Sequence, residues 1–85
     1  MLSMLTEEQI KMARAALGWS VSDLANNSSV SVRTISRIES EGGLAVATQA
    51  NVKLIVTTLE AAGIEFIGSP GDGPGVRLWA HFNSQ

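Results

Sequence analysis

The chain of 85 residues has no cysteine, no tyrosine and a single histidine, His81. Without cysteine it cannot contain a disulfide framework, a cysteine-ligated zinc site or a thiol nucleophile. One histidine without cysteine does not make a metal site, so we expect no metal and no other cofactor. The lack of cysteine also fits a reducing compartment, and we expect a cytoplasmic protein.

Long apolar runs are absent too. No segment approaches the ~20 consecutive apolar residues that a helix needs to cross a bilayer. The segment 1–8 has no basic stretch followed by an apolar one, so it does not resemble a signal peptide. We therefore expect no membrane as a partner.

The usual constellations of catalytic residues are missing as well. A serine–histidine–acid arrangement is not credible when the one histidine stands near the end, at position 81. Glu7 and Glu8 lie at a predicted helix start, where the helix dipole accounts for both carboxylates. The glycine-rich stretch 68–75 precedes a predicted strand and lacks a Lys-Ser or Lys-Thr pair, unlike a phosphate-binding loop. We expect no catalytic residues and no enzymatic activity.

Positive charge is scarce, with six basic and eight acidic residues and a net charge of −2. Residues 1–53 carry five basic and five acidic side chains, so this half is about neutral. Such a surface does not attract a polyanion strongly at long range, and any affinity for one should depend on few phosphate contacts. The basic residues of this half are Lys11, Arg14, Arg33, Arg37 and Lys53.

The first half shows three helix starts with their own caps. Thr6 and Gln9 form a capping box for a first helix, which Gly18 ends. Ser20 caps a second helix, roughly residues 21–27, and Ser31 caps a third, roughly residues 32–40. The residues Asn27, Ser28 and Ser29 between the last two helices are typical of a turn, and Gly42 and Gly43 end the third helix.

The third helix has two dissimilar sides. Ile35 and Ile38 form its predicted buried pair. The opposite side carries Val32, Arg33, Ser36 and Arg37. A short helix that packs by one side and presents arginine on the other is suited to reading the major groove of DNA.

The second half changes its period. Thr48 caps a longer helix that runs to about residue 62, with apolar residues at helical spacing. Residues 64–67 and 76–82 then alternate as strands do, around the loop 68–75, which predicts a β-hairpin. In this alternation Trp79 falls opposite Leu78, so an exposed Trp79 is expected if Leu78 faces the helices. We predict a single domain over 1–85, with a helical bundle at 6–62 and the hairpin at 63–82.

By these residues the chain resembles the λ-repressor-like, or XRE-type, helix-turn-helix family. The resemblance rests on Leu-Gly-Trp-Ser at 17–20, Asp-Leu-Ala at 23–25 and Val-Ser-Val-Arg-Thr-Ile-Ser-Arg-Ile-Glu at 30–39. The endings at 59–67 and 73–78 are similar to those of a group of small bacterial members, and the resemblance extends over about residues 5–78. It implies a mainly α domain of four to five helices, here with a short C-terminal hairpin.

The resemblance also implies roles for individual residues. The third helix would be the recognition helix, with Val32, Arg33, Ser36 and Arg37 facing bases and Ser20, Ser31 and Thr34 near phosphates. Arg14 and Glu39 would form a structural ion pair. Three positions depart from the family pattern. Val21 stands where glutamine is favoured, Ser29 stands where glycine is usual, and the loop 42–47 carries no basic residue.

Two functions follow as hypotheses. The first is a sequence-specific transcriptional regulator that binds double-stranded DNA, a bacterial repressor acting as a homodimer. The second is a protein-interaction module, such as an antitoxin-like partner, that binds DNA weakly or only in a complex with another protein. The candidates for a dimer interface are Phe66, Trp79 and Phe82.

Overall fold

The computed structural model describes residues 5–79, and these form five helices followed by a two-stranded antiparallel sheet. The predicted fold class, mainly α with a C-terminal hairpin, is confirmed. Within 5–79 no helix is both long and apolar enough to span a membrane. The elements are α1 Glu7–Leu17, α2 Val21–Ser28, α3 Val32–Glu39, α4 Gly43–Val46, α5 Gln49–Ala61, β1 Ile64–Ile67 and β2 Gly75–Leu78.

The core lies where the helices meet, and it is almost wholly aliphatic. Each large aliphatic side chain that is fully buried contributes about 1.5–3 kcal/mol relative to an exposed one. Four of the five helices supply such side chains, so the bundle is held by contacts between elements rather than by any one helix. The fully buried large aliphatic residues are Ile10, Leu24, Ile35, Ile38, Ile55 and Leu59.

The predicted caps begin the helices as expected. The Thr6 hydroxyl accepts a bond from the Gln9 backbone N–H at 3.2 Å, and the Gln9 side chain accepts one from the Thr6 N–H at 2.9 Å. Ser20, Ser31 and Thr48 each accept from the N–H three residues on. Because these signals are local, the observed helix starts agree with the sequence prediction.

The prediction of a loop over residues 42–47 was wrong in part, because one helical turn, α4, lies within it. Gly43 packs so closely on the end of α3 that an added Cβ would lie 2.1 Å from the Arg37 carbonyl oxygen. The Glu7 carboxylate accepts a bond from the Leu44 N–H at 3.0 Å. Glu7 therefore serves α4 as well as the start of its own helix.

The hairpin pairs residue 64 with 78 and residue 67 with 75. The predicted second strand, 76–82, begins at Gly75 in the structure, and its part beyond residue 79 lies outside the described residues. Trp79 continues the pairing by donating its N–H to the Gly63 carbonyl at 2.9 Å. A lone two-stranded hairpin is marginal in water, so it needs support from the bundle.

Gln9 supplies part of that support. Its side chain is buried, and its Nε2 donates to the Ile67 carbonyl at 3.0 Å and to the Gly75 carbonyl at 2.9 Å. These two residues are paired across the hairpin, so one amide group holds both strands where they enter the loop. Ile64 is buried in the core, and Phe66 and Val76 pack against it. The hairpin is thus fixed to α1 by both polar and apolar contacts.

Candidate nucleic-acid interface

The turn between α2 and α3 is tight. Ser29 adopts a left-handed conformation with φ 66°, and it is the one non-glycine residue with positive φ among residues 5–79. This is the position where the sequence departs from the expected glycine, and the conformation costs about 1 kcal/mol or more. The Ser28 hydroxyl accepts the Val30 N–H at 3.2 Å, which closes the turn from the inside.

The inner side of α3 is locked into the bundle. Ile35 and Ile38 are buried, and the Glu39 side chain is only 8% exposed. Packing on this side fixes the rotation of α3 about its axis. The direction in which the opposite side faces is therefore set by the core.

The outer side of α3 is exposed along its length. The four residues predicted to face bases, Val32, Arg33, Ser36 and Arg37, are all exposed and lie on one helix of eight residues. Val32 is 46% exposed, so its methyl groups can be reached from outside. The structure thus brings this predicted set together on one surface.

Glu39 is buried because Arg14 neutralises it. Arg14 Nε lies 2.6 Å from Glu39 Oε2 and Nη2 lies 2.8 Å from Oε1, a two-pronged pair between α1 and α3. Arg14 Nη1 also donates to the Trp19 carbonyl at 3.1 Å. The hydrogen bond to Glu39 raises the pKa of Arg14 above its ordinary value, against the opposing effect of burial. The two residues that the resemblance implied as a structural pair therefore lie together.

The arginines fall into two groups. Arg14 and Arg77 form ion pairs, with Glu39 and Glu65 respectively. Arg33 and Arg37 have no hydrogen-bond or ion-pair partner for their guanidinium groups among residues 5–79. Both unpaired guanidinium groups lie one turn apart on the exposed side of α3. They are available to bind an acceptor from outside the molecule.

A family model described as helix-turn-helix matches residues 10–62, which is more than half of the chain. The chain belongs to the helix-turn-helix family. The λ-repressor-like resemblance is thereby confirmed, and the family is one of DNA-binding regulatory domains. No curated protein and no solved structure matches the chain.

In this helix-turn-helix protein the residues predicted to lie near phosphates sit at helix starts. The Ser20 hydroxyl accepts the Asp23 N–H at 3.0 Å, which leaves its proton to donate. The Ser31 hydroxyl accepts the Thr34 N–H at 3.1 Å and donates its own proton to the Thr34 hydroxyl oxygen at 2.9 Å, which leaves the Thr34 proton to donate. The capping bonds thus fix the positions of the Ser20 and Ser31 hydroxyls at the starts of α2 and α3.

The two helix starts differ in charge. At α2 the Asp23 carboxylate accepts the Ser20 N–H at 2.8 Å, so a negative charge already occupies that end. The first turn of α3 has no acidic residue. Because a helix N-terminus carries a partial positive charge, α3 offers a more favourable end for an anion than α2.

The hairpin residues predicted for a dimer interface are placed differently from one another. Trp79 is 41% exposed, and its indole N–H donates to Glu65 Oε1 at 2.9 Å. Arg77 binds the same oxygen at 3.0 Å and lies over the Trp79 ring. Phe66 is half-buried against the core, and Phe82 lies outside the described residues.

Leu78 corrects the simple alternation of the second strand. Leu78 is 36% exposed and Trp79 is 41% exposed. The two residues therefore do not divide into one that faces the core and one that faces solvent. Burial along this strand falls from partly buried at Gly75 and Val76 to exposed at Arg77 and Leu78. Glu65 was not predicted from the sequence. Its carboxylate binds both Arg77 and Trp79, and this contact depends on the strand register that places Glu65 opposite Arg77.

Proposed function

We propose that this protein is a bacterial transcriptional repressor that binds a specific double-stranded DNA site as a homodimer in the cytoplasm. The observation that supports this most is the pair of unpartnered arginines, Arg33 and Arg37, on the exposed side of a helix whose other side is locked in the core. A helix about 10–12 Å wide fits the major groove, which is about 12 Å wide. In this fold the second helix of the motif is the one that enters.

The proposed base contacts come from Val32, Arg33, Ser36 and Arg37. A valine methyl group suits the thymine methyl, and arginine suits guanine. The hydroxyls of Ser20 and Thr34 would donate to phosphates at the edges of the groove and fix the register, and Ser31, whose proton goes to the Thr34 hydroxyl, would lie beside them. The acid-free start of α3 would favour the same approach.

The length of α3 supports the dimer. Eight residues extend about 12 Å along the helix axis, which corresponds to about 3–4 base pairs. So short a site cannot by itself distinguish one promoter from the rest of a genome. Two copies of α3 in successive major grooves, about 34–36 Å apart, would read a two-fold symmetric site and occlude a promoter. Trp79, with Phe66 and Phe82, is the proposed contact between the copies.

The experiment that tests this is an in vitro selection from random double-stranded DNA with the purified full chain, followed by sequencing. We expect a two-fold symmetric motif whose half-sites lie about one helical turn apart. Sedimentation at the same concentration should give twice the monomer mass, and Trp79→Ala should lower it. Absence of any enriched sequence, with a folded dimeric protein, would contradict the repressor.

A second candidate is a protein-interaction module of the antitoxin type. It is favoured by the balance of five basic and five acidic residues over 1–53 and by the lack of a basic residue at 42–47. The salt dependence of binding separates the two. For the repressor we expect log K to fall with log salt concentration at about −0.9 per neutralised phosphate, with a total slope shallower than about −8 for the dimer. Affinity that is measurable only with a partner protein present would favour the module.

A further inference from the structure

We propose that each DNA half-site contains two G·C pairs separated by one base pair, with one guanine bound by Arg33 and the other by Arg37. This inference rests on the proposed function, because it specifies which bases α3 reads. It assigns specificity to two residues and predicts a spacing that the selection experiment measures directly.

The direction of the two side chains carries the first step. Residues follow each other around a helix at about 100°, so the mean direction of the buried residues Ile35, Ile38 and Glu39 can be compared with that of the exposed ones. On this wheel Arg33 and Arg37 point about 150–170° away from the buried side. Val32 and Ser36 point only about 65° and 105° away. The arginines therefore lie where the helix goes deepest into a groove, above the base edges rather than the flanking phosphates.

The axial spacing carries the second step. Arg33 and Arg37 are four residues apart, which is a rise of about 6 Å along α3. Base pairs are about 3.4 Å apart along the DNA axis, so for α3 laid along that axis this rise corresponds to about two base-pair steps. The two side chains are equally long and leave the helix in similar directions. Their reach therefore preserves the spacing of their backbones, and the two bases they contact should enclose one base pair.

The chemistry of the side chains carries the third step. Guanine presents two acceptors, O6 and N7, in the major groove, and the planar guanidinium group binds both at once. Arg14 shows what this protein does with an arginine that belongs to the fold, because its guanidinium group binds a carboxylate in two-pronged fashion. Arg33 and Arg37 have no such partner among residues 5–79. Guanine offers the same two-acceptor geometry from outside.

The test compares the motif selected by the parent protein with those selected by Arg33→Gln and Arg37→Gln. Glutamine binds N6 and N7 of adenine, so each variant should change the preference from guanine to adenine in one column, and the two columns should lie two positions apart. The matched control is Lys53→Gln, which removes the same charge from the exposed side of α5. This control should select the parent motif. Circular dichroism and thermal melting check that all variants are folded.

A second measurement leaves the protein unchanged. Replacing either guanine by 7-deazaguanine removes only the N7 acceptor, and we expect the affinity of the parent protein to fall by about 2- to 13-fold at each position. Each 7-deazaguanine site should then lose less affinity than the unmodified site when the matching arginine is changed, because only the bond to O6 remains. The same replacement at a guanine outside the two positions should have no effect.

The results separate failure of this inference from failure of the proposed function. A parent motif without two G·C pairs at this spacing would overturn the inference while leaving the DNA-binding regulator intact. A uniform loss of affinity in both variants, with an unchanged motif and a shallower salt slope, would also overturn it, since that is the result expected for phosphate contacts. No enriched motif for the parent protein would contradict the proposed function itself.

Discussion

The two sides of α3 both carry charged side chains, which are buried and paired on the inner side and, within the described part of the chain, exposed and unpaired on the outer side. On the inner side a charged residue, Glu39, is buried and saturated by Arg14, and its neighbours Ile35 and Ile38 are fully packed. On the outer side Arg33 and Arg37 are exposed and unpartnered within residues 5–79. The inner side determines how the helix is held, and the outer side determines what it can bind. Substitutions on the two sides should therefore separate stability from recognition.

Gly43→Ala, next to the end of α3, should have the largest effect on stability. The new Cβ would lie 2.1 Å from the Arg37 carbonyl and 2.4 Å from that of Ile38, so α4 must move away from α3. We expect the free energy of unfolding to fall by about 3 kcal/mol, at the upper end of the typical cost of overpacking a core. The control is Gly42→Ala, which has open space but a φ of 75°, and should cost only about 1 kcal/mol. Urea unfolding measures both, and equal losses would show that the close contact is not decisive.

Gln9→Glu should come next. The substitution keeps the acceptor for the Thr6 N–H but removes the amide donor to the carbonyls of Ile67 and Gly75. We expect a loss of about 2–3 kcal/mol at neutral pH, which narrows in acid because a neutral carboxyl group regains one donor. The matched control is Gln49→Glu at the exposed start of α5. Hydrogen exchange should show that the loss of protection is concentrated in the hairpin. Equal acceleration of amide exchange throughout the chain would contradict the role of Gln9 in holding the two strands.

Arg14→Lys should have a smaller effect. Lysine keeps the charge but cannot bind both Glu39 oxygens and the Trp19 carbonyl at once, so we expect a loss of about 1–2 kcal/mol. Arg77→Lys, in the exposed pair with Glu65, is the control and should cost less than about 0.5 kcal/mol. Since the pKa of Arg14 is raised, its contribution is complete at neutral pH and fades only above the ordinary arginine range. Equal losses in thermal unfolding would contradict the difference between the two pairs.

Arg37→Ala should have the smallest effect on stability, within about 0.5 kcal/mol, because its side chain is exposed and makes no contact that the fold needs. Its effect should instead be on recognition, with a loss of about 1–3 kcal/mol of discrimination between the selected site and a mismatched one. Competition binding measures the discrimination. Melting at an unchanged temperature with unchanged preference would remove Arg37 from the reading surface.

The sequence predicts those parts of the fold that depend on local signals. Thr6, Ser20, Ser31 and Thr48 each cap a helix through the residue three positions on, so spacing alone was sufficient. One of the contacts that hold the missed turn of α4 comes from far away in the sequence. Leu44 binds a carboxylate 37 positions away in the sequence. No local pattern contains such a contact.

In the candidate site, too, the features with local sequence signals were predictable, and those that depend on distant contacts were not. The outer side of α3 follows from helical periodicity, because Ile35 and Ile38 define the inner side. That Arg33 and Arg37 lack partners while Arg77 has one could not be read from the sequence, since pairing depends on the strand register that brings Glu65 opposite Arg77. The capping role of Gln9 was predictable from Thr6, but its bonds to carbonyls 58 and 66 positions away were not.

The amide of Gln9 has a practical consequence for protein engineering. It holds main-chain carbonyls, whose chemistry is the same for every amino acid, and it holds them immediately before and after the loop 68–74. Side chains between those two carbonyls can therefore change without removing these bonds. Gly68 must stay, since a Cβ there would meet the Gly73 carbonyl at 2.5 Å, but Gly71 faces open space. A peptide tag inserted at Gly71, or a fluorophore on a Gly71→Cys variant, would therefore leave both bonds of Gln9 in place.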